Sequence, residues 1–320
     1  MVDTPPLYPL QFDPVYTSRD WGGRGLEALG RQLPGDKSVR YGESLELGSV
    51  NNGSLAGRPL DHVIEQYGKT LMGDLESTYS GKFPLLVQFI DAGTRCAVNV
   101  QKTHRAWYIV SAKPGAVIYK GFNPQRTLHE IRQAIESNDF DKVEQCLVVT
   151  PVKPGDCHFL HGATCNALGA GVVVAQIAMP GEGPLELFGW GQYDPSSDIE
   201  HALELAMLPP PDVHQFENRS HIAGMFTTVT RLVTCDQFQI EKIRMSEGYS
   251  QEIPYNQPAI WIVLAGRGTI DPANGAETVV FKCGQTMLIP AELGQATVSL
   301  DEDTIWLEIT FPQVSATPLA

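Results

Sequence analysis

The chain is poor in positive charge: 23 Lys and Arg stand against 37 Asp and Glu among 320 residues, a formal net charge of −14. A field of that sign repels phosphate polyanions and anionic lipid heads, so neither nucleic acid nor a membrane surface is an expected partner. A small anion stays admissible, because a few local cations outweigh a distant, screened charge. No run of eighteen apolar residues occurs, which removes a membrane-spanning helix, and Met1 to Leu10 hold no basic segment followed by an apolar run. A cytoplasmic protein is the expectation. Cys-x-x-Cys pairs are also missing. Cys96, Cys146, Cys157, Cys165, Cys235 and Cys283 are scattered, and reduced, mostly buried thiols are expected rather than a disulfide frame.

What the chain has in quantity is turn punctuation. Thirty Gly and 23 Pro in a chain that is 42% apolar favour many short strands over long helices, and the length suggests about two domains. From Phe83 onward apolar runs alternate with turn signals: Phe83–Ile90 before Asp91-Ala-Gly93, then Ala106–Val110, Ala116–Tyr119, Cys146–Thr150, Cys157–Leu160 and Gly171–Ile177. Two stretches read as helix. Leu60–Tyr67 is a short amphipathic segment, and Thr127–Ser137 repeats Leu128, Ile131 and Ile135 behind Thr127 as N-cap, with Glu130 three residues on.

Ala206-Met-Leu-Pro-Pro-Pro-Asp212 cannot continue a helix. A boundary is expected there, between domains 1–210 and 218–320. The second domain repeats the strand series with Thr227–Thr234, Phe238–Met245, Ala259–Leu264, Glu277–Phe281, Thr286–Ile289, Ala296–Leu300 and Thr304–Phe311. Val152-Lys-Pro-Gly-Asp-Cys-His-Phe-Leu160 in one half corresponds to Phe281-Lys-Cys-Gly-Gln-Thr-Met-Leu-Ile-Pro290 in the other. A lysine-x-glycine turn entering an apolar strand once per half points to duplicated barrels. The expected fold is therefore all-β, with a small helical insertion around residues 125–140.

Within this plan lie Trp21-Gly-Gly23, Gly42-Glu-Ser44, Asn52-Gly-Ser-Leu-Ala-Gly57, Phe83-Pro-Leu-Leu-Val87 with Asp91-Ala92, Pro154-Gly-Asp156, Gly162-Ala-Thr164, Ala167-Leu-Gly-Ala-Gly171, Gly266-Arg-Gly268 and the run Gly284 to Pro290. In this order and spacing, over roughly residues 6 to 312, they resemble the compact bacterial type I phosphomannose isomerases. The resemblance implies two cupin (jelly-roll) barrels and an ancestry in the isomerisation of mannose 6-phosphate to fructose 6-phosphate. In that family a bound divalent metal, usually zinc, polarises the sugar oxygens while a proton moves between adjacent carbons. Its ligands come from a Gln-x-His pair, a Glu shortly after, and a His in a Gly-Thr-x-His-Ala turn.

Those positions are changed. The Gln-x-His strand reads Val98-Asn-Val-Gln101, so Asn99 and Gln101 take the first two ligand places, and the last His falls on Asn166. The Glu falls on Arg105 if Trp107 anchors the comparison and on His104 if Lys102-Thr103 does. An arginine of the family becomes Glu186 and a lysine becomes Gln88. Amides are weak neutral ligands and a guanidinium repels a cation, so no metal is expected at these positions. The candidate pocket comprises Arg105, Glu186 and Gln88 beside Asn99, Gln101 and Asn166, with Arg105 expected to pair with Glu186 or Glu46 or else to bind an anion.

His158 and His161, three apart on a strand, point to opposite faces if the strand continues. One histidine inside and one at a turn is the plainer expectation; a relocated metal site at His104, His158 and His161 is the sharper one. Ser111 near His104 has nothing to orient it as a nucleophile, and Glu43 and Glu46 belong to a framework motif. The expected function is an isomerase relative without zinc or catalysis, serving as a sugar-binding, regulatory or assembly module. Its expected partner is a sugar or sugar phosphate, with self-association or paralogue pairing open. The rivals are an active or impaired mannose-6-phosphate isomerase, a cupin enzyme with a relocated metal, and a structural subunit of an active paralogue.

Overall fold

Short strands, many of them joined through left-handed glycines, are the commonest element in the computed structural model, which describes residues 5–191, 199–217, 219–253 and 256–312. The ends of the two expected domains, 1–4 and 313–320, lie outside the described residues. The repeated turn is built the same way in both halves. Gly155 and Gly284 sit at φ 91° and 85°, where a Cβ would be strained. Before them, the Lys153 and Lys282 backbone N–H groups donate to the side chains of Asp156 (3.0 Å) and Gln285 (2.8 Å), and the strands Cys157–Leu160 and Thr286–Ile289 follow.

The chain divides into two compact units, but not at one point in the sequence. One holds Met1–Pro14, Glu46–Pro84 and Asn218–Ala320, the other Val15–Leu45 and Leu85–Glu217. The continuous split into 1–210 and 218–320 thus matches the units only at the Glu217/Asn218 junction. The physical reason is pairing: Leu10 and Gln11 lie opposite Leu288 and Met287, and the buried Glu46 carboxylate accepts a hydrogen bond from Thr286 Oγ1 at 2.7 Å. In the first unit the helix Leu60–Tyr67 buries Leu60, Val63, Ile64 and Tyr67, the three-and-four spacing of one face.

In the second unit two antiparallel sheets enclose an apolar core. One places Leu86–Ala92, Val172–Ala178, Arg105–Ala112 and Cys157–Leu160 side by side; the other orders Leu185–Phe188, Val98–Val100, Asn166–Leu168, Val117–Phe122 and Leu147–Pro151. Ile109, Val172 and Val174 of the first sheet meet Ile118 and Leu168 of the second. The outer face of the second sheet carries Val98, Val100 and Tyr119, which pack under the insertion helices. The helix Leu128–Glu136 has the expected capping box between Thr127 and Glu130 and buries Ile131, Ala134 and Ile135. Leu128 is instead 48% exposed. A helix Phe140–Gln145 and another, Ile199–Leu205, complete this layer. No described helix is long and apolar enough to cross a membrane.

Candidate functional site

Strand alternation decides what faces the space between the two sheets of the second unit. Along Arg105–Ala112, Ile109 and Trp107 join the apolar core, and Trp107 and Arg105 line a cavity of about 330 Å³. The neighbouring strands change character at the same level: Val174 gives way to Gln176 and Ala92 to Gln88. One end of the interior is therefore packed and the other is polar and open, at the lower end of the size range of small-molecule sites.

Across the cavity, Val98 and Val100 turn toward the helices while Asn99 and Gln101 face inward. Asn166, directly opposite Asn99 in register, also lines the cavity. Both asparagines are held alike. Asn99 Nδ2 donates to Ala97 O at 3.1 Å and Asn166 Nδ2 to Thr164 O at 2.8 Å, which leaves each amide oxygen without a hydrogen bond among the described residues.

Gln88 belongs to a relay across three strands in register. Trp107 Nε1–H donates to Gln176 Oε1 (2.8 Å), and Gln176 Nε2–H donates to Gln88 Oε1 (3.0 Å). Replacing Gln176 by leucine strands the buried indole N–H, and denaturant unfolding is expected to register a loss of about 1–3 kcal/mol. An unchanged midpoint would mean that this bond contributes nothing. Gln176 was not among the residues singled out from sequence, although a lone glutamine in the otherwise apolar run Val172–Ala178 is itself a signal.

Of the two residues in the open choice, Arg105 lines the cavity and His104 does not. The ion pair expected of Arg105 does not form. Arg105 is 2% exposed; its Nη2 makes one long hydrogen bond, 3.4 Å to Thr103 O, and its Nε has no partner among the described residues. No carboxylate offsets the burial, which brings its pKa down to about 10. Glu186, opposite Asn99 on the adjacent strand, does not line the cavity, and burial raises its pKa. The carboxylates that do line it are each engaged, Glu43 with Arg19 (3.1 Å) and Glu182 with Lys102 (2.8 Å).

His104, by contrast, turns out of the cavity. Its Nδ1 accepts the Gly162 N–H at 2.9 Å, and its ring meets that of His161 at 4.4 Å, with His161 Nδ1 bonded to Gly162 O. His158 does not join them: among the described residues no three His, Cys, Asp or Glu side chains form a group able to hold a metal. The relocated site at His104, His158 and His161 is not assembled, because His158 sits within a strand opposite Trp107 while His161 follows that strand's end. Nor do the side chains at the ligand-equivalent positions, three amides and one guanidinium, fit zinc.

Comparison with known proteins bears on what this fold descends from. The chain is 26% identical over 314 residues to mannose-6-phosphate isomerase ManA of Bacillus subtilis, covering 90% of this chain and 94% of that protein. It is 28% identical over 329 residues to the probable mannose-6-phosphate isomerase GmuF of the same organism, covering 91% and 96%. The chain is thus similar to mannose-6-phosphate isomerases over about nine-tenths of its length. The crystal structure of the mannose 6-phosphate isomerase from Bacillus subtilis superposes on 94% of this chain and 98% of that one, with a TM-score of 0.80 at 21% identity. A putative mannosephosphate isomerase from Archaeoglobus fulgidus gives 0.73 at 18%, covering 97% and 99%. At these identities the structural likeness establishes the cupin fold shared with the isomerases. No family model matches the chain.

Proposed function

We propose that this mannose-6-phosphate isomerase relative has lost zinc binding and catalysis, and that its cavity binds a sugar or sugar phosphate. One observation carries the reading: the positions that the resemblance equates with metal ligands, Asn99, Gln101, Arg105 and Asn166, converge on one cavity as three neutral amides and a buried cation. A guanidinium in that space repels a divalent ion, and amide oxygens alone hold one poorly. Aldose–ketose isomerisation also needs a base to carry the proton between neighbouring carbons. The lining carboxylates Glu43 and Glu182 are each held by a basic partner. Inward amides beside Trp21 and Trp107 suit a polyol, whose hydroxyls both donate and accept and whose ring carbons pack on indole. The two compact units are read as the two cupin barrels of a cytoplasmic bicupin.

Elemental analysis of untagged protein, with an assay on mannose 6-phosphate, tests this. No stoichiometric zinc and no fructose 6-phosphate are expected, with or without added zinc. Bound zinc together with turnover would return the chain to the working isomerases.

A further inference from the structure

We infer that the first unit holds a second binding site, a cavity that takes a small organic ammonium ion between tryptophan rings and carboxylates. This cavity, of about 150 Å³, is lined only by residues within 227–308, all of them in that unit. Its place follows from the duplication of the fold. Trp107 lies opposite His158, three residues after the turn glycine Gly155, and Trp261 lies opposite Met287, three residues after Gly284. From each tryptophan the register runs on across two further strands, from Trp107 to Gln176 to Gln88 and from Trp261 to Glu308 to Glu241. Each row lines the cavity of its own unit. The first unit therefore repeats the row with carboxylates where the second unit has amides.

That exchange sets the charge of the ligand. Glu241 and Glu308 stand directly opposite one another on neighbouring strands, an arrangement of like charges that a cation relieves. With Glu252 they make every charged side chain of the lining acidic among the described residues. Arg231 meets Glu241 at 3.0 Å without itself lining the cavity, and Glu308 accepts the Trp306 indole N–H at 3.3 Å. The rest of the wall is aromatic: Trp261 and Trp306 line it together, their ring centroids 4.7 Å apart. Indole attracts cations more strongly than the other aromatic side chains do. A metal ion gains no ligand from indole, and among the described residues these carboxylates form no group able to hold one. An organic ammonium ion uses both walls, its charge near Glu308 and its carbon groups on tryptophan. The Thr227 hydroxyl oxygen, buried at the same wall without a hydrogen bond among the described residues, is placed to bond a hydroxyl or N–H of that ligand. A cavity of roughly 150 Å³ takes a molecule of about six heavy atoms.

Calorimetric titration of the full chain at fixed ionic strength with choline, ethylammonium and 3,3-dimethylbutan-1-ol, the uncharged carbon isostere of choline, tests the site. At least one of the two ions is expected to bind about tenfold or more tightly than the alcohol, the scale of a desolvated cation–π contact. Whichever ion binds more tightly assigns the preference as quaternary or primary. In Glu308→Gln, which copies Gln176 of the second unit and keeps an acceptor for the Trp306 indole, the advantage of the ion over the alcohol is expected to be lost. The alcohol matching both ions, an advantage undiminished in Glu308→Gln, or no binding of either ion would overturn the inference. Magnesium displacing the bound ion at a lower concentration than the ion itself requires would also overturn it, in favour of a metal site. The comparison of ion with alcohol is made on the unaltered chain and so does not depend on the folding of the variant.

Discussion

Exchange of Arg105 for methionine is expected to make the unliganded protein more stable, by about 1–4 kcal/mol, the gain seen when a poorly compensated buried charge yields to a hydrophobic side chain of similar length. The guanidinium is 2% exposed and makes one hydrogen bond of 3.4 Å. Trp107 and Met179 are among the cavity residues a methionine would join, and methionine adapts to irregular gaps. The sign can be followed with pH. Burial depresses the Arg105 pKa from 12.5 to about 10, so the folded state holds this proton less firmly than the unfolded state. The penalty is complete below the folded value and is relieved only as pH climbs toward the unfolded one, so thermal melts in neutral buffer carry all of it. A lower melting temperature for Arg105→Met would show that the guanidinium is well solvated in the cavity. An arginine kept at a net cost to stability is what a binding site retains and a framework position does not.

Replacement of Asp91 by alanine is expected to be the damaging counterpart, costing about 2–4 kcal/mol from two buried N–H groups left without an acceptor. Asp91 is 3% exposed. Its carboxylate accepts the backbone N–H groups of Gly25 and Leu26 at the start of the short 3-10 helix Gly25–Leu29, where a helix has no acceptors of its own for its first donors. Burial outweighs these hydrogen bonds and raises the Asp91 pKa above the ordinary 3.8. The ionised form is therefore disfavoured by folding: the part of the stability linked to this group's protonation is fully present below pH 3.8 and is lost as pH rises through the raised folded value, while the hydrogen bonds accepted from Gly25 and Leu26 persist in the carboxylate. Denaturant titrations of wild type and Asp91→Ala at neutral pH measure the difference. A change under about 0.5 kcal/mol, the usual range for an inconsequential substitution, would show that the two N–H groups find other acceptors.

The same residue explains why separate motifs of the chain are spaced as they are. A Cβ on Gly23 would lie 2.2 Å from Asp91 Oδ1, and one on Gly93 would lie 2.2 Å from the Gly22 carbonyl. Trp21-Gly-Gly23 and Asp91-Ala-Gly93 are thus two sides of one close contact, and each is weak as a motif because its reason lies in the other. Gly162 is similar: a Cβ there would meet the Lys102 carbonyl at 2.1 Å, which ties the turn before Asn166 to the segment after Gln101.

Local rules were enough for the elements and the character of the cavity wall. Periodicity and capping account for Leu60–Tyr67 and for the Thr127–Glu130 box, because those signals act within a few residues. Strand alternation likewise makes Asn99 and Gln101 neighbours on one face, a covalent consequence of the pleat. Tertiary structure alone decided the rest. Charge pairing depends on where side chains end in space, so Glu186 could be placed near Arg105 in the chain's plan and still lie off the cavity, while Gln176 joined Trp107 and Gln88 across strands far apart in sequence. The units, too, follow long-range pairing: Leu10 finds Leu288 through hydrogen bonds and burial that no local pattern encodes, and this carries the first fourteen residues into the unit with the C-terminal strands.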